Sequence, residues 1–183
     1  MRWRVRVGYP VAVLYWLLAT PTPRWIAIGA AVVALGLLVR AAASGELRKN
    51  QELATSGIYA RTRNPLYLGS AILAAGFIIA GHSLWAGLLV AVYFSVFYYA
   101  VMRNEEDDLL TRFGPAFEEY STNVPLFFPN IFIAGRPPSE GELHRTFSWQ
   151  QFRRNREYKA TIGTAGALAI VWVRMWLRGR YGY

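Results

Sequence analysis

Hydrophobic positions along the chain gather into five long runs separated by polar segments. The runs occupy residues 7–20, 25–39, 66–81, 84–102 and 160–173. A helix that crosses the hydrocarbon core of a bilayer needs roughly 17–25 residues, interfacial aromatic residues included. The fourth run meets that length, the second and third nearly do, and the first and last are short. Four such runs would leave a soluble bundle little polar face. We therefore predict an all-α, multi-pass membrane bundle.

The same pattern predicts how the chain is organised. No shift in composition marks a boundary, so residues 1–183 are expected to form one domain with about five membrane helices. Residues 131–159 combine aromatic and basic side chains, which is typical of an interfacial segment. The last membrane helix is expected at 160–177.

Basic residues predict the orientation of the bundle. Three arginines precede the first run and five basic residues lie in the loop 40–64, whereas the turn 81–83 has none. Lysine and arginine concentrate on the cytoplasmic side of membrane proteins. The amino terminus, the 40–64 loop and the segment after Met102 are therefore predicted to be cytoplasmic. If the last run spans fully, three arginines at its far end lie outside, against this rule, and the pattern leaves that point open.

Charge and cysteine content narrow the classes of function. The formal net charge is +9, but residues 103–159 contain eight basic and nine acidic residues, so they form no basic stripe. The remaining arginines lie at helix ends, where anionic lipid head groups attract them. We predict contact with membrane lipids and no nucleic-acid partner. The chain has no cysteine, which excludes disulfides and thiolate metal sites, and no metal site is predicted.

Two polar segments at the predicted cytoplasmic side carry candidate chemistry. Asn64 and Pro65 make a sound helix start, with Asn64 as the cap and Pro65 in the first turn. That role does not explain Arg61 and Arg63 beside them. Residues 105–108 are four consecutive acids that follow the fourth run. On a helix they fan around the axis, so at least one should face the bundle, although a solvated helix extension is the plainer interpretation.

The residues after these acids predict a return toward the bundle. The Phe113-Gly114-Pro115 step is expected to end the fourth helix. Val124-Pro125 and Pro129 then indicate an extended stretch lying back over the bundle.

Both polar segments carry a resemblance to a known superfamily. Residues 57–69, GIYARTRNPLYLG, resemble the G-P-Y-x-x-x-R-H-P-x-Y-x-G signature of the isoprenylcysteine carboxyl methyltransferase and phospholipid methyltransferase superfamily. Its second mark is a glutamate pair after the next membrane helix, then leucine, F-G, tyrosine and V-P, and residues 105–125 match it. The resemblance covers residues 36–130. Asn64 stands where the superfamily usually has histidine, and Ile58 where proline is common. Because asparagine does not titrate near neutral pH, a proton-acceptor role at that position is in doubt.

The resemblance implies an integral membrane methyltransferase that uses S-adenosylmethionine. Its cofactor pocket would lie between the membrane helices and the cytoplasmic loops, next to a lipid-like methyl acceptor. Arginines would meet the cofactor's carboxylate, glutamates its ammonium or ribose, and tyrosines its adenine or sulfonium. No catalytic residue is assigned. The implied cofactor-binding residues are Tyr59, Arg61, Arg63, Asn64, Pro65, Tyr67, Leu68, Gly69, Glu105 and Glu106.

The identity of the acceptor stays open at the level of sequence. A carboxylate is already ionised and needs no base, so Asn64 mildly favours carboxyl O-methylation of an isoprenylcysteine-like substrate. Phospholipid or other amines, other isoprenoids and small thiols are the alternatives. Two other classes of protein are a nicotinamide-dependent membrane reductase and a non-catalytic scaffold or transporter.

Overall fold

A computed structural model describes residues 2–48, 52–130 and 147–181, and within these ranges the regular structure is entirely helical. Part of the predicted interfacial segment, residues 131–146, lies outside them. A single 3₁₀ turn, Gly57–Ala60, precedes the third α-helix. The α-helices are α1 Arg2–Leu18, α2 Pro23–Glu46, α3 Pro65–Gly81, α4 Leu84–Phe113, α5 Pro115–Asn123, α6 Trp149–Arg154 and α7 Tyr158–Tyr181.

Three of the described helices, α2, α4 and α7, are long and apolar enough to cross a membrane. Two shorter apolar helices accompany them, namely α3 and residues 6–18 of α1. The predicted all-α membrane bundle is therefore confirmed. The last apolar run looked short in the sequence, but α7 has 24 residues because polar and basic flanks continue the helix at both ends.

Helices α2 and α3 pack closely along a line of glycines. A Cβ added at Gly29 would lie 2.5 Å from the carbonyl oxygen of Gly76, and one at Gly36 would lie 2.9 Å from that of Gly69. Small residues let helix backbones approach in membranes, where packing rather than water exclusion drives association. We call these four residues the glycine seam. It fixes α3 along α2 and places the Asn64-Pro65 helix start near the carboxyl-terminal end of α2.

Helix α7 is held mainly near its two ends. Before its first turn, Glu157 lies 2.5 Å from the Nε of Arg40 on α2. Toward its other end, Arg174 donates to the carbonyl oxygen of Leu17 at 2.9 Å and its guanidinium lies over Trp16. Unpaired carbonyls at a helix carboxyl terminus attract cations, so the last turn of α1 is a favourable place for this arginine. Between the two ends, Val171 is the buried residue of α7.

The turn between α3 and α4 closes the end of the bundle where α1 ends and α2 begins. His82 adopts a left-handed conformation with φ of 44° and ends α3. The hydroxyl of Thr20 donates to the His82 carbonyl at 2.6 Å, and the Trp25 ring stacks on His82 with centroids 4.8 Å apart. The polar segments with the methyltransferase resemblance lie at the opposite end, where α2 stops and α3 starts.

Candidate functional site

The start of α3 and the polar extension of α4 meet through ion pairs. The Arg63 guanidinium pairs with one carboxylate oxygen of Glu106, and Arg103 contacts the other at 3.0 Å. Glu106 is only 8% exposed, although the acids on either side of it are exposed. The prediction that one of the four acids faces the bundle is confirmed. Its charge is balanced by two arginines, one from each segment.

A second contact joins the same two segments. The hydroxyl of Tyr67, in the first turn of α3, donates to Glu105 at 2.7 Å. The Tyr67 ring also meets the ring of Tyr98 on α4 edge to face, with centroids 5.7 Å apart. Arg63, Tyr67, Glu105 and Glu106 therefore converge at one end of the bundle, and we call these four residues the candidate site.

Residues 124–130 lie across this end of the bundle, as the sequence predicts. The backbone N–H of Arg63 donates to the carbonyl of Pro125 at 3.0 Å, and that of Asn130 donates to the carbonyl of Arg61 at 3.1 Å. Helix α4 ends at Phe113 as expected, because Gly114 takes a positive φ of 53° that turns the chain into α5. The returning stretch holds the 61–64 loop in place by its main chain.

Asn64 occupies the N-cap position of α3 as predicted, but its side chain makes no capping hydrogen bond. Its amide nitrogen donates instead to the carbonyl of Leu126 at 3.0 Å, which ties it to the returning stretch. Pro65 occupies the first turn of α3 as predicted and is fully buried. Nearby, the hydroxyl of Thr62 donates to the carbonyl of Phe127 at 2.9 Å. These residues build the support under the candidate site.

Tyr59 lies in a buried hydrophobic cluster beneath the candidate site and is 6% exposed. Its backbone carbonyl accepts a hydrogen bond of 2.7 Å from the hydroxyl of Tyr120. Burial raises the pKa of both phenols well above the usual value, so both stay protonated at physiological pH. Neither is suited to accept a proton.

The remaining residues implied by the resemblance have other surroundings. Arg61 is exposed, Leu68 is partly buried, and Gly69 belongs to the glycine seam, where a Cβ would lie 2.5 Å from the Cγ of Arg40. The close approach at Gly69 thus comes from α2. Of the ten implied residues, Arg63, Tyr67, Glu105 and Glu106 point their polar groups at one another.

A polar cluster that the sequence pattern does not predict lies behind the candidate site. Arg40 donates to Glu157 and to the hydroxyl of Ser70, both at 2.5 Å, and so joins α2, α3 and the start of α7. Arg40 is noticeable in the sequence only as a charged residue that directly follows an apolar run. Nothing in residue spacing pairs it with an acid 117 positions away.

Two surface cavities lie near opposite ends of the bundle. One of about 670 Å³ borders α6 and is lined by Trp149, Gln150 and Arg153. Helix α6 packs on the carboxyl end of α2, which places this cavity at the same end as the candidate site. The other, of about 500 Å³, is lined by nine residues around Trp25 and His82 at the far end.

Comparison with known proteins matches this region to a family. The sequence model of the phospholipid methyltransferase family covers residues 24–116, which include α2 after its first residue, all of α3 and α4, and all four candidate-site residues. A methanethiol S-methyltransferase 2 of Bradyrhizobium diazoefficiens is 32% identical over 88 residues, 47% of this chain and 32% of that protein. No solved structure matches.

Two bacterial metal-resistance proteins match over longer stretches. The nickel-cobalt-cadmium resistance protein NccN of Alcaligenes xylosoxydans is 34% identical over 142 residues, 72% of this chain and 64% of NccN. The cobalt-zinc-cadmium resistance protein CzcN of Cupriavidus metallidurans is 32% identical over 162 residues, 84% of this chain and 71% of CzcN. The chain thus spans slightly less than two thirds of NccN and somewhat more of CzcN. The family model, the bundle and the two motif segments agree: this chain belongs to the phospholipid methyltransferase family.

Proposed function

We propose that the protein is an S-adenosylmethionine-dependent methyltransferase that acts on a lipophilic acceptor at the cytoplasmic edge of the membrane. The observation that carries the proposal is the pair of contacts Arg63–Glu106 and Tyr67–Glu105, which join the two motif segments. A water-soluble donor and a membrane-bound acceptor can meet only at such a boundary. The family match supports methyl transfer as the reaction.

The side chains at the candidate site suit the groups of this cofactor. The Nε of Arg63 is a buried donor without a hydrogen-bond partner among the described residues, and a carboxylate would satisfy it. Glu105 is exposed and accepts from Tyr67, which leaves acceptor capacity for an ammonium or a ribose hydroxyl. Tyrosine ring faces attract cations, and the ring of Tyr67 lies at the candidate site beside Tyr98.

Little acid–base help is needed for the proposed reaction. S-adenosylmethionine supplies a methyl carbon that is already activated by positive sulfur. The protein's part is to orient the acceptor and to exclude water. Asn64 is committed to the Leu126 carbonyl, and the raised pKa of Tyr59 and Tyr120 removes them as bases. These residues favour an acceptor that is already anionic, and our first candidate is the carboxylate of an isoprenylcysteine-like lipid.

A thiol is the second candidate acceptor. The likeness to a methanethiol S-methyltransferase favours it, and a cysteine-like thiol, with a pKa near 8.5, ionises more readily than an alkylammonium does. The names of the two metal-resistance proteins, which match over longer stretches, suggest a role in metal tolerance. Such a role would act without thiolate ligands, because the chain has no cysteine. Methylation of a small molecule or lipid is a role in metal tolerance that needs no thiolate ligand from this chain.

The site assignment is tested by cofactor binding to purified protein in detergent. Glu105→Gln and Glu106→Gln should each weaken binding of labelled S-adenosylmethionine by at least about tenfold, or about 1.4 kcal/mol. Asp108→Asn removes an exposed acid from the same run and should leave binding unchanged. Thermal unfolding of each variant separates loss of binding from loss of fold. A wild-type protein that does not bind the cofactor contradicts the function, and full binding by both variants contradicts the site.

The acceptor is identified by incubating membranes with methyl-labelled cofactor. Label released as methanol by mild base indicates a methyl ester, as the carboxylate proposal expects. Base-stable label in a phospholipid fraction would indicate N-methylation instead, and volatile labelled sulfide would indicate a thiol.

A further inference from the structure

Glu106 is shared by two arginines whose surroundings differ. The side chains of Glu106 and Arg63 are 10% and 16% exposed, whereas that of Arg103 is 58% exposed. A buried carboxylate needs a cation and hydrogen bonds, and Arg63 already supplies both. The second arginine gives the three-residue cluster a net positive charge and places that charge at the surface. Its position therefore asks for an explanation beyond neutralising Glu106.

Arg103 is held in a fixed place at the boundary between the apolar and polar parts of α4. Its Nη1 contacts Glu106 at 3.0 Å, and its Nε donates to the Tyr99 hydroxyl at 3.3 Å. The guanidinium carbon also lies 5.7 Å from the centre of the Tyr99 ring. Tyr99 is 55% exposed on the part of α4 that is apolar enough to lie in a membrane. Since arginine has five N–H donors, the others remain available beside this tyrosine.

Among the described residues, the acid that pairs with Arg103 is Glu106, and the other acids of the run make no ion pair with it. At 100° per residue, positions 103 and 105 point about 160° apart on a helix, and Glu105 is turned to Tyr67. Asp107 lies one turn beyond Arg103 on the same face and is exposed to solvent. The hydrogen bonds of Arg103 nevertheless go to Glu106 and Tyr99.

We propose that Arg103 recognises the carboxylate of the methyl acceptor at the lipid–water boundary. Glu106 is then a positioning residue that orients Arg103 on one side and Arg63 on the other. The more buried Arg63 serves the water-soluble cofactor, and the exposed Arg103 serves the membrane-bound acceptor. This assignment rests on the proposed function for its acceptor, and it adds a binding residue that lies outside the ten implied by the resemblance.

Equilibrium binding of two matched probes tests the role of Arg103 without turnover. The probes are N-acetyl-S-farnesylcysteine, which carries a carboxylate, and its uncharged methyl ester, measured in phosphatidylcholine nanodiscs without cofactor. We expect the wild type to bind the acid about tenfold more tightly than the ester, since a charge-assisted guanidinium–carboxylate pair favours it. Arg103→Gln should abolish this preference, and Arg103→Lys should retain part of it. Arg112→Gln removes an exposed arginine from the same helix and should change nothing.

The following results decide whether Arg103 binds the acceptor's carboxylate, the cofactor or a lipid head group. Arg103→Gln should keep cofactor affinity within about twofold of wild type, and loss of that affinity would assign Arg103 to the cofactor and overturn the proposal. Displacement of the acid probe by phosphatidylglycerol in the nanodisc would make the site a head-group site and also overturn it. The proposal is also overturned if Arg103→Gln still binds the acid probe more tightly than the ester, or if the wild type shows no such preference. If the wild type prefers the acid probe but does not bind the cofactor, the methyltransferase function is contradicted while the role of Arg103 stands.

Discussion

At the residue scale, helix geometry gives Glu106 an environment that its neighbours lack. Four acids follow one another, and each is rotated by about 100° from the last. Glu106 therefore faces Arg63 and the bundle while Asp107 and Asp108 face solvent. Burying an unpaired carboxylate would cost several kcal/mol, so the ion pair with Arg63 is a condition for this arrangement. The sequence predicted that one acid would turn inward, and the contacts identify it.

Tyr120 links stability to alkaline pH through its raised pKa. Burial keeps its phenol protonated in the folded state, while in the unfolded chain it ionises near pH 10. The unfolded state then binds fewer protons, so the free energy of unfolding falls as pH rises above about 10. Thermal unfolding in detergent should show a steeper loss between pH 9 and 11 for wild type than for Tyr120→Phe. At neutral pH that variant should be less stable by about 1 kcal/mol, since the Tyr59 carbonyl loses its donor.

Tyr181→Phe provides the control, because this tyrosine is 59% exposed and should behave as wild type throughout. An alkaline decline that is equally steep in Tyr120→Phe would show that other groups cause it.

At the element scale, the glycine seam between α2 and α3 determines where the candidate site can form. Glycines seven residues apart on each helix meet glycines seven apart on the other, which keeps the two backbones in contact over two turns. The start of α3 carries Arg63 and Tyr67, and its place relative to α2 depends on that contact. The spacing is visible in the sequence, but which two helices pair through it is not.

Alanine at the glycine seam should destabilise the bundle. In Gly29→Ala the new methyl group would lie 2.5 Å from the Gly76 carbonyl and 2.7 Å from the Cβ of Ala80, so backbones must move apart. We expect a loss of about 1–3 kcal/mol, typical of overpacking, measured by thermal or denaturant unfolding in detergent. Gly166→Ala in α7 meets no atom within 4 Å and should be neutral or stabilising by up to about 1 kcal/mol. Equal stability of the two variants would show that the seam is not tightly packed.

The elements differ in how much of them the sequence could reveal. Apolar runs, the first-turn proline and the glycine after Phe113 act locally, so α3 and the end of α4 were predictable. The missing capping hydrogen bond of Asn64 was not predictable, because its side-chain amide binds the carbonyl of a residue 62 positions away. The Arg40–Glu157 pair was not foreseen for the same reason. Contacts between distant segments are set by packing, which a single sequence does not display.

At the scale of the whole molecule, the polar groups implied by the resemblance collect at one end of the bundle. Helix α2 ends there, α3 and α7 begin there, and α4 continues beyond its apolar part. If α1, α2, α3, α4 and α7 all cross, the termini lie on opposite sides of the membrane. In that arrangement Arg174 would lie toward the outer side, where the carbonyl of Leu17 accepts one of its hydrogen bonds.

Reporter fusions test the predicted orientation. Green fluorescent protein folds in the cytoplasm, and alkaline phosphatase becomes active only outside it, where disulfides form. We expect fluorescence from a reporter at the amino terminus or in the loop at residue 48, and phosphatase activity from one after Tyr181. Fluorescent fusions at both termini would place both inside and show that the number of crossings is even, not five.

Because α4 is a single unbroken helix, its length determines where the acidic side chains near its carboxyl end lie. Its membrane part and its acids share one helix of 30 residues, so the height and direction of Glu106 are fixed by counting residues. Each added residue would lift the acids by about 1.5 Å and swing them by about 100°. One insertion would turn Glu106 away from Arg63, whereas a seven-residue insertion would restore the direction about 10 Å too high. The length of this helix is therefore as strict a requirement as the identity of its acids.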